Sequence, residues 1–554
     1  MISRSSILHQ ILHVLSIAAI AHILWIYTID TPKAIYHCPL DRYGLAHYWI
    51  EENCYWSSSY AEAREKFVSL GNVLREQLLM AREKNETLDV VHVKSISYDV
   101  SDKDTVARHG SYKRYMETIQ AFDTYEFQTT VPGIDTIDVM LITLRIPSND
   151  NRDNINIIHS SGVHGVEGYL GSAIQLRFLH ELIIQNEERL DSRKDALSKE
   201  TKLRHVLIIH AVNPYGMRHH RRTNENNVDL NRNALSAEEW KLIRFRDPNF
   251  EGYVDLDSVL NPFSPVTNGE LFSWVRAARH GGFEGDMSTL KQRDDEVQRT
   301  LHESRNESTE YNMPAVNNPV NAVNDWIAQI IEISKSIPLL MKAMLSVGYA
   351  RTKRTLVSSQ YLKQCGSQYG GGAHKYHSND WENSIYALQH AIEHFAGFPM
   401  ADPDWKVFWI DVHTGLGRYG EYSMLSSGRP KNAEAEDNAS KPEWVRRLAT
   451  LLRDSMGMDK SANDRVSKGY EVTRGFVNGE ELCPLPHCFS KTQEFGTRPG
   501  VMVGMCMVLE NKGYQVGGRD FAFSTSWAFN PRRLSWRRKT LRGGVEMLQR
   551  AFNF

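Results

Sequence analysis

Residues 155–184 predict a strand, a loop and a helix in succession, and their sequence is INIIHSSGVHGVEGYLGSAIQLRFLHELII. Residues 155–158 are an apolar, largely β-branched run that predicts a buried strand, and residues 168–184 carry leucine and isoleucine at helical spacing. Similar apolar runs at residues 206–209 and 407–410 predict two more buried strands. Alternation of buried strands with helices indicates an α/β fold with a mixed, largely parallel central sheet flanked by helices.

The composition is that of a large folded chain. Of its 554 residues, 41% are apolar and 10% aromatic, which is enough to bury a core and excludes a disordered protein. Lys and Arg number 65 against 67 Asp and Glu, so there is no electrostatic attraction for nucleic acid, which we exclude as a partner. Residues 60–82 predict a further helix. We interpret residues 57–554 as one domain with a charged, solvated insertion near residues 285–312.

The N-terminus predicts a membrane or secretory location. Residues 7–29 are almost wholly apolar, and ~20 such residues span a bilayer as a helix, so we interpret residues 1–29 as a signal anchor. A cleaved signal peptide is the alternative, because Ala19-Ile20-Ala21 has the form of a cleavage site. We expect a single-pass membrane protein whose main domain is lumenal or extracellular, or a secreted protein, with residues 30–56 as a linker.

Glycosylation sequons and cysteines are compatible with that location. The sequons begin at Asn85, Asn306 and Asn438. Cys38, Cys54, Cys483 and Cys488 could form disulfides in an oxidising lumen, but their spacing does not assign the pairs.

The loop after the first predicted strand carries the first candidate metal ligands. His164 and Glu167 are three residues apart, so both side chains can face one point on a turn that opens the next helix. An imidazole and a carboxylate are suitable ligands for Zn²⁺. Open α/β sheets place their sites at the carboxyl ends of strands, which is where this loop lies.

Two more polar motifs follow the other two predicted strands, and a third lies in an apolar, strand-like setting near the C-terminus. They are R-R-T-N-E-N-N-V-D-L-N-R-N at residues 221–233, D-V-H at residues 411–413 and K-T-Q-E-F-G-T at residues 491–497. In this order the motifs resemble the zinc carboxypeptidase (carboxypeptidase A-like metallocarboxypeptidase) superfamily. Within it the chain is most similar to an uncharacterised branch, a domain of unknown function, whose features also appear at residues 57–67 and 528–531.

The resemblance implies a single bound Zn²⁺ ion and a catalytic base. His164, Glu167 and His413 would hold the ion and leave one coordination position open for water. Glu494 would act as the general base that takes a proton from this water and later passes it to the leaving amine.

The resemblance also implies the residues that bind the substrate. Arg222 would polarise the scissile carbonyl, with Arg221 as the weaker candidate for that role. Asn231 and Arg232 would hold a substrate carboxylate, which suits the planar guanidinium group. Asp229 would accept a hydrogen bond from the ring N–H of His164.

The implied activity is that of a zinc metallocarboxypeptidase, which cleaves a C-terminal amino acid from a peptide. The H-G-x-E-G and T-x-E-x-G forms are also similar to the aspartoacylase-like deacylases of the same superfamily, so an N-acyl amino acid with a free carboxylate is an alternative substrate. A catalytically silent ectodomain on the same fold is a further alternative. Tyr361, Tyr369 and Tyr470 are candidates for substrate contacts, and the sequence does not select among them.

Overall fold

The structure is a computed structural model, and it describes eleven parts of the chain. These are residues 52–100, 135–147, 155–192, 201–261, 345–361, 366–371, 381–399, 405–426, 441–455, 470–515 and 522–553, apart from positions 85, 87, 245, 248, 346, 359, 471 and 472. The predicted signal segment, the charged insertion near residues 285–312 and the three sequon asparagines lie outside the described residues.

Seven strands form one sheet. They are β1 (Val90–Asp99), β2 (Thr136–Pro147), β3 (Ile155–Ser161), β4 (Thr201–His210), β5 (Lys406–Tyr419), β6 (Tyr422–Leu425) and β7 (Cys488–Gly496). Their order across the sheet is β1-β2-β4-β3-β5-β7-β6. The central strands β4, β3, β5 and β7 are mutually parallel, whereas β1, β2 and β6 pair antiparallel to their neighbours. The predicted mixed, largely parallel sheet is therefore confirmed.

Eleven α-helices are found among the described residues. They are α1 (Tyr60–Glu83), α2 (Gly168–Ser192), α3 (Pro214–Arg218), α4 (Ala237–Arg244), α5 (Asp257–Leu260), α6 (Tyr349–Val357), α7 (Asn383–His390), α8 (Glu443–Ser455), α9 (Gly500–Gln515), α10 (Ala522–Phe529) and α11 (Leu534–Asn553). The predicted helices over residues 60–82 and 168–184 correspond to α1 and α2. Ser59 caps α1, because its side chain accepts a hydrogen bond from the backbone N–H of Glu62.

Helices cover both faces of the sheet. Neighbouring residues of a strand point to opposite faces, so Ile157 packs in one core cluster with side chains of α1, α2 and α11, and Ile158 packs in another with side chains of α7. This burial on both faces explains why the central strands read as continuous apolar runs. Among the helices of the described residues, none combines the length and the apolar character that a membrane span requires.

The carboxyl ends of the parallel strands place the predicted motifs at one edge of the sheet. His413 in β5 is directly in register with Glu494 in β7, and Ser161 at the end of β3 is in register with Val412. A disulfide joins Cys483 to Cys488 at the start of β7.

Candidate metal centre

The loop after β3 carries His164 and Glu167. Residues Gly165–Glu167 form a 3-10 turn that leads directly into α2, and both candidate ligands are buried. A side chain at Gly165 has no room, because its Cβ would lie 2.0 Å from the carbonyl carbon of Gly216 in α3. The glycine within the H-G-x-E motif therefore allows the loops after β3 and β4 to touch.

His413 joins this pair from β5. Its Nδ1 atom lies 3.0 Å from Nδ1 of His164 and 3.2 Å from Oε2 of Glu167. The Nδ1 atom of His164 lies 3.0 Å from Oε1 of Glu167. Although Glu167 and His413 are far apart in sequence, the three side chains form one buried group that could hold a metal ion. We call these three residues the triad.

The spacing of the triad atoms is suited to a small divalent ion. A tetrahedral zinc ion with bonds of about 2.0–2.1 Å separates its ligand atoms by roughly 3.3–3.4 Å. The 3.0 and 3.2 Å separations of the triad lie close to this value. Two imidazole nitrogens and a carboxylate are also a ligand set that zinc accepts. The residues present therefore fit a metal ion.

A second carboxylate supports each histidine from behind. Nε2 of His164 lies 3.1 Å from Oδ1 of Asp229, and Nε2 of His413 lies 2.6 Å from Oδ2 of Asp411. These bonds turn both Nδ1 atoms towards the centre of the triad and favour the tautomer that can bind a metal there. The contact predicted for Asp229 is present in the structure. The contact made by Asp411 was missed in the sequence, although the D-x-H spacing puts both residues on one face of a strand.

Asp411 is itself held by a buried chain of hydrogen bonds. The hydroxyl of Ser160 donates to Oδ1 of Asp411 at 2.6 Å, and the indole N–H of Trp409 donates to the Ser160 hydroxyl at 2.7 Å. Asp411 and Ser160 are aligned because β3 and β5 pair in register at these two residues. The carboxylate orientation behind His413 is therefore determined by the central strands.

The charges around the triad favour a cation at its centre. Burial alone would lower the pKa of His413, but Asp411 and Glu167 outweigh it and raise this pKa to about 10. Burial acts to raise the pKa of Glu167, yet His164 and His413 hold it below its usual range. In the metal-free protein a proton on His413 supplies positive charge at the position where a metal ion would supply it.

Arg222 lies directly against the triad. Its Nη1 donates to Oε1 of Glu167 at 3.0 Å, and its Nη2 donates to Oδ2 of Asp229 at 3.1 Å. Burial works against the charge of Arg222, but Asp229 and Glu167 outweigh it and raise the guanidinium pKa. Arg221 instead pairs with Glu510 of α9. Of the two adjacent arginines, Arg222 is the one that brings a positive charge to the triad.

Glu494 lies beside the triad on β7. Its Oε1 accepts a hydrogen bond from the backbone N–H of Leu416 at 2.7 Å. Burial, followed by the negative charge of Glu167, raises the pKa of Glu494 to about 7. A carboxylate whose pKa is near neutrality can take up and release a proton at physiological pH, as a general base requires.

Asn231 and Arg232 lie in a 3-10 turn, Leu230–Arg232, and both are buried. The amide oxygen of Asn231 accepts from the backbone N–H of Val477 at 3.0 Å. Arg232 donates from Nε to the carbonyl of Val357 at 3.2 Å and from Nη1 to the carbonyl of Asn231 at 2.7 Å. These bonds leave the NH₂ group of Asn231 and Nη2 of Arg232 as donors.

One cavity connects these groups. The described residues that line it include the whole triad, Arg222, Asn231, Arg232 and Glu494. Of the three candidate tyrosines, Tyr470 lines this cavity. Tyr361 donates its hydroxyl to the carbonyl of Arg232, and the carbonyl of Tyr369 accepts from the backbone N–H of Asp229. Asp229 is not among the described lining residues, and it acts on His164 and Arg222 from behind the cavity wall.

The comparisons with known proteins place the chain in a family of unknown function. The family described as Protein of unknown function (DUF2817) matches residues 116–270 and 318–543, and the chain belongs to it. This agrees with the uncharacterised branch expected from the motifs. No curated protein and no solved structure shows significant similarity to the chain. The resemblance to zinc carboxypeptidases therefore stays a prediction from the sequence motifs.

Proposed function

We propose that the protein is a zinc-dependent hydrolase that cleaves a C-terminal amino acid from a peptide, as a metallocarboxypeptidase does. The observation that carries this proposal is the buried triad beside Glu494. A metal site, a base with a pKa of about 7 and two buried arginines share one cavity. Such a set of groups is typical of hydrolysis next to a carboxylate.

The triad and Glu494 have different roles in the proposed reaction. When bound, zinc supplies Lewis-acid chemistry, which makes water nucleophilic near pH 7 and polarises a carbonyl group. Glu494 accepts the proton that water loses when it attacks the scissile carbon, and then donates this proton to the leaving amine. Its backbone partner Leu416 keeps the carboxylate in place while the proton moves.

Two arginines hold the substrate at opposite ends of the reacting bond. Arg222 puts a permanent positive charge next to the triad, where it stabilises the negative charge that develops on the carbonyl oxygen. Nη2 of Arg232 and the NH₂ group of Asn231 bind the free carboxylate of the terminal residue. Asp229 keeps Arg222 and His164 in position by accepting hydrogen bonds from both.

We also propose that the protein works in the lumen of the secretory route, at a membrane or outside the cell. The disulfide between Cys483 and Cys488 supports an oxidising compartment, and Cys54 is also disulfide-bonded. The apolar N-terminal segment supports the same location.

The test is an assay of zinc-loaded protein on three substrates: a peptide with a free C-terminus, the same peptide with an amidated C-terminus, and an N-acyl amino acid. We expect release of the terminal residue from the free peptide alone. Turnover of only the N-acyl amino acid would replace the peptidase by the deacylase that the H-G-x-E-G form also suggests.

The matched control for this assay is Glu494→Gln, which preserves the shape of the side chain but removes the base. We expect zinc to remain bound and turnover to fall by at least about 100-fold, the lower range for a general base. If this variant is as active as the wild type, the role of Glu494 is wrong. A zinc-loaded wild type that is inactive on every substrate would favour the silent ectodomain.

A further inference from the structure

Thr497, at the end of the K-T-Q-E-F-G-T motif, has no part in the reaction described above. It is buried, and it is not among the described residues that line the cavity. Its backbone N–H and its hydroxyl both donate to the carbonyl of Gly415, at 3.1 and 2.9 Å. Thr497 therefore binds one carbonyl group of β5 with two hydrogen bonds, although Gly415 itself lines the cavity.

The carbonyl of Gly415 belongs to the same peptide unit as the N–H of Leu416. That N–H donates to Oε1 of Glu494 at 2.7 Å. A peptide unit is planar and rigid, so a bond that fixes its carbonyl oxygen also fixes the direction of its N–H. The two bonds from Thr497 therefore determine where the carboxylate of Glu494 meets its backbone donor.

A bulge in β5 allows this peptide unit to face a side chain. Gly415 and Tyr419 are both in register with Gly496 of β7, so residues 416–418 lie outside the regular pairing of the two strands. Gly415 has a φ of 149°, which favours glycine. A Cβ at position 415 would lie 3.2 Å from Oε1 of Glu494, a tight approach to the carboxylate. The bulge and the glycine together let the N–H of Leu416 reach Glu494.

The same segment of β5 also binds the carboxylate of the triad. The backbone N–H of Thr414 donates to Oε2 of Glu167 at 2.9 Å. Two backbone donors that are two residues apart thus hold Glu167 and Glu494. The position of Glu494 relative to the triad therefore depends on one short stretch of backbone.

We propose that Thr497 is a positioning residue, which fixes Glu494 relative to the triad through the peptide unit between Gly415 and Leu416. The inference rests on the proposed function, because it takes Glu494 to be the general base. A base has to lie within hydrogen-bonding distance of the group whose proton it takes. A displacement of about 1 Å can lower a rate by about 100-fold.

The experiment compares zinc-loaded wild type with Thr497→Val and Thr497→Ser on the peptide with a free C-terminus. Valine has the shape of threonine but no hydroxyl, whereas serine keeps the hydroxyl. In Thr497→Val we expect kcat to fall by roughly tenfold, because the carboxylate shifts by a fraction of the distance that costs about 100-fold. KM and zinc content should not change, because Arg232 and the triad keep their contacts. Thr497→Ser should restore kcat.

Thr143→Val is the matched control. Thr143 is also a buried strand residue, and its hydroxyl lies 3.0 Å from Nδ1 of His205, away from the cavity lining. This variant should lose stability and keep the wild-type kcat. Wild-type kcat in Thr497→Val, an equal loss of kcat in Thr143→Val, or no recovery in Thr497→Ser would each overturn the inference.

Hydrogen exchange at the amide of Leu416 gives a second readout, which does not depend on turnover. We expect this amide to exchange about tenfold or more slowly in wild type than in Glu494→Ala, which lacks the acceptor, or in Thr497→Val. Exchange at the wild-type rate in either variant would overturn the inference. A wild type that releases no terminal residue would contradict the peptidase proposal, and the exchange rates would still decide whether Thr497 and Leu416 hold Glu494.

Discussion

Replacement of Asp411 by Asn tests the part of the site that lies behind His413. The 2.6 Å bond from Nε2 of His413 to Oδ2 of Asp411 raises the electron density on the imidazole and holds Nδ1 towards the triad. An Asn side chain has the same shape but no charge, so it can keep the ring in place while it weakens the ligand. Loss of such a partner lowers metal affinity by roughly 10- to 100-fold, or about 1.4–2.8 kcal/mol.

The size of the effect depends on the neighbours of Asp411. The hydroxyl of Ser160 donates to Oδ1 of Asp411 and accepts from Trp409, so an Asn in this position would put an NH₂ group against a donor. Either the Ser160 hydroxyl rotates and loses one of its hydrogen bonds, or the Asn amide rotates and loses its hydrogen bond to His413. We therefore expect an effect in the upper half of the range, nearer 100-fold.

The assay is a competition titration with a zinc chelator of known affinity, performed on wild type, Asp411→Asn and Asp138→Asn. Asp138 is a suitable control because it is also fully buried and is paired with Arg64 and Ser97, away from the cavity lining. We expect Asp138→Asn to lower stability without changing zinc affinity. Wild-type zinc affinity in Asp411→Asn, or an equal loss in both variants, would refute the reasoning.

The remaining predictions concern pH and the contact between two loops. Because the pKa of His413 is about 10 in the metal-free protein, zinc must displace a proton from this side chain when it binds. The affinity for zinc should therefore fall about tenfold for each unit decrease in pH. Calorimetry in two buffers should show about one proton released, and none would contradict the prediction. The pKa of Glu494 is about 7, and a bound cation lowers this pKa further. The acid limb of the pH profile of kcat/KM should therefore lie at or below about pH 7. An acid limb above about pH 7 would contradict the role of Glu494 as the base. Gly165→Ala should lower the free energy of unfolding by roughly 1–3 kcal/mol in thermal denaturation, because its Cβ would overlap the backbone of Gly216. Gly504→Ala should not lower it, because its Cβ would meet Leu356 at an ordinary van der Waals distance. Equal melting temperatures for the two variants would contradict this prediction.

Local patterns predicted the buried centre of the fold and missed its edges. The three apolar runs are the cores of β3, β4 and β5, because strands covered on both faces are apolar throughout. β5 continues to Tyr419 through Gly415, a residue type that usually indicates a loop. The antiparallel pairing of β1 with β2 and of β2 with β4 depends on contacts between distant segments, which a local pattern does not encode.

The candidate site, too, was predicted from the sequence only in part. Ordered motifs were enough to select all three triad residues, since a metal site needs particular side chains at particular places. Asp411 lies within one of those motifs, and the two-residue period of a strand would have shown that it shares a face with His413. The part of the cavity lining that α6 and α9 contribute was not predictable, because α6 carries no chemical motif and meets α9 only in three dimensions.

Zinc analysis of the purified chain tests the central claim most directly. We predict one tightly bound zinc ion per chain in the wild type, measured by mass spectrometry of the metal content, and a loss of that ion in His164→Ala. A folded wild-type chain that contains no zinc and takes up none when zinc is supplied would contradict the account, as would a His164→Ala variant that retains the ion in full.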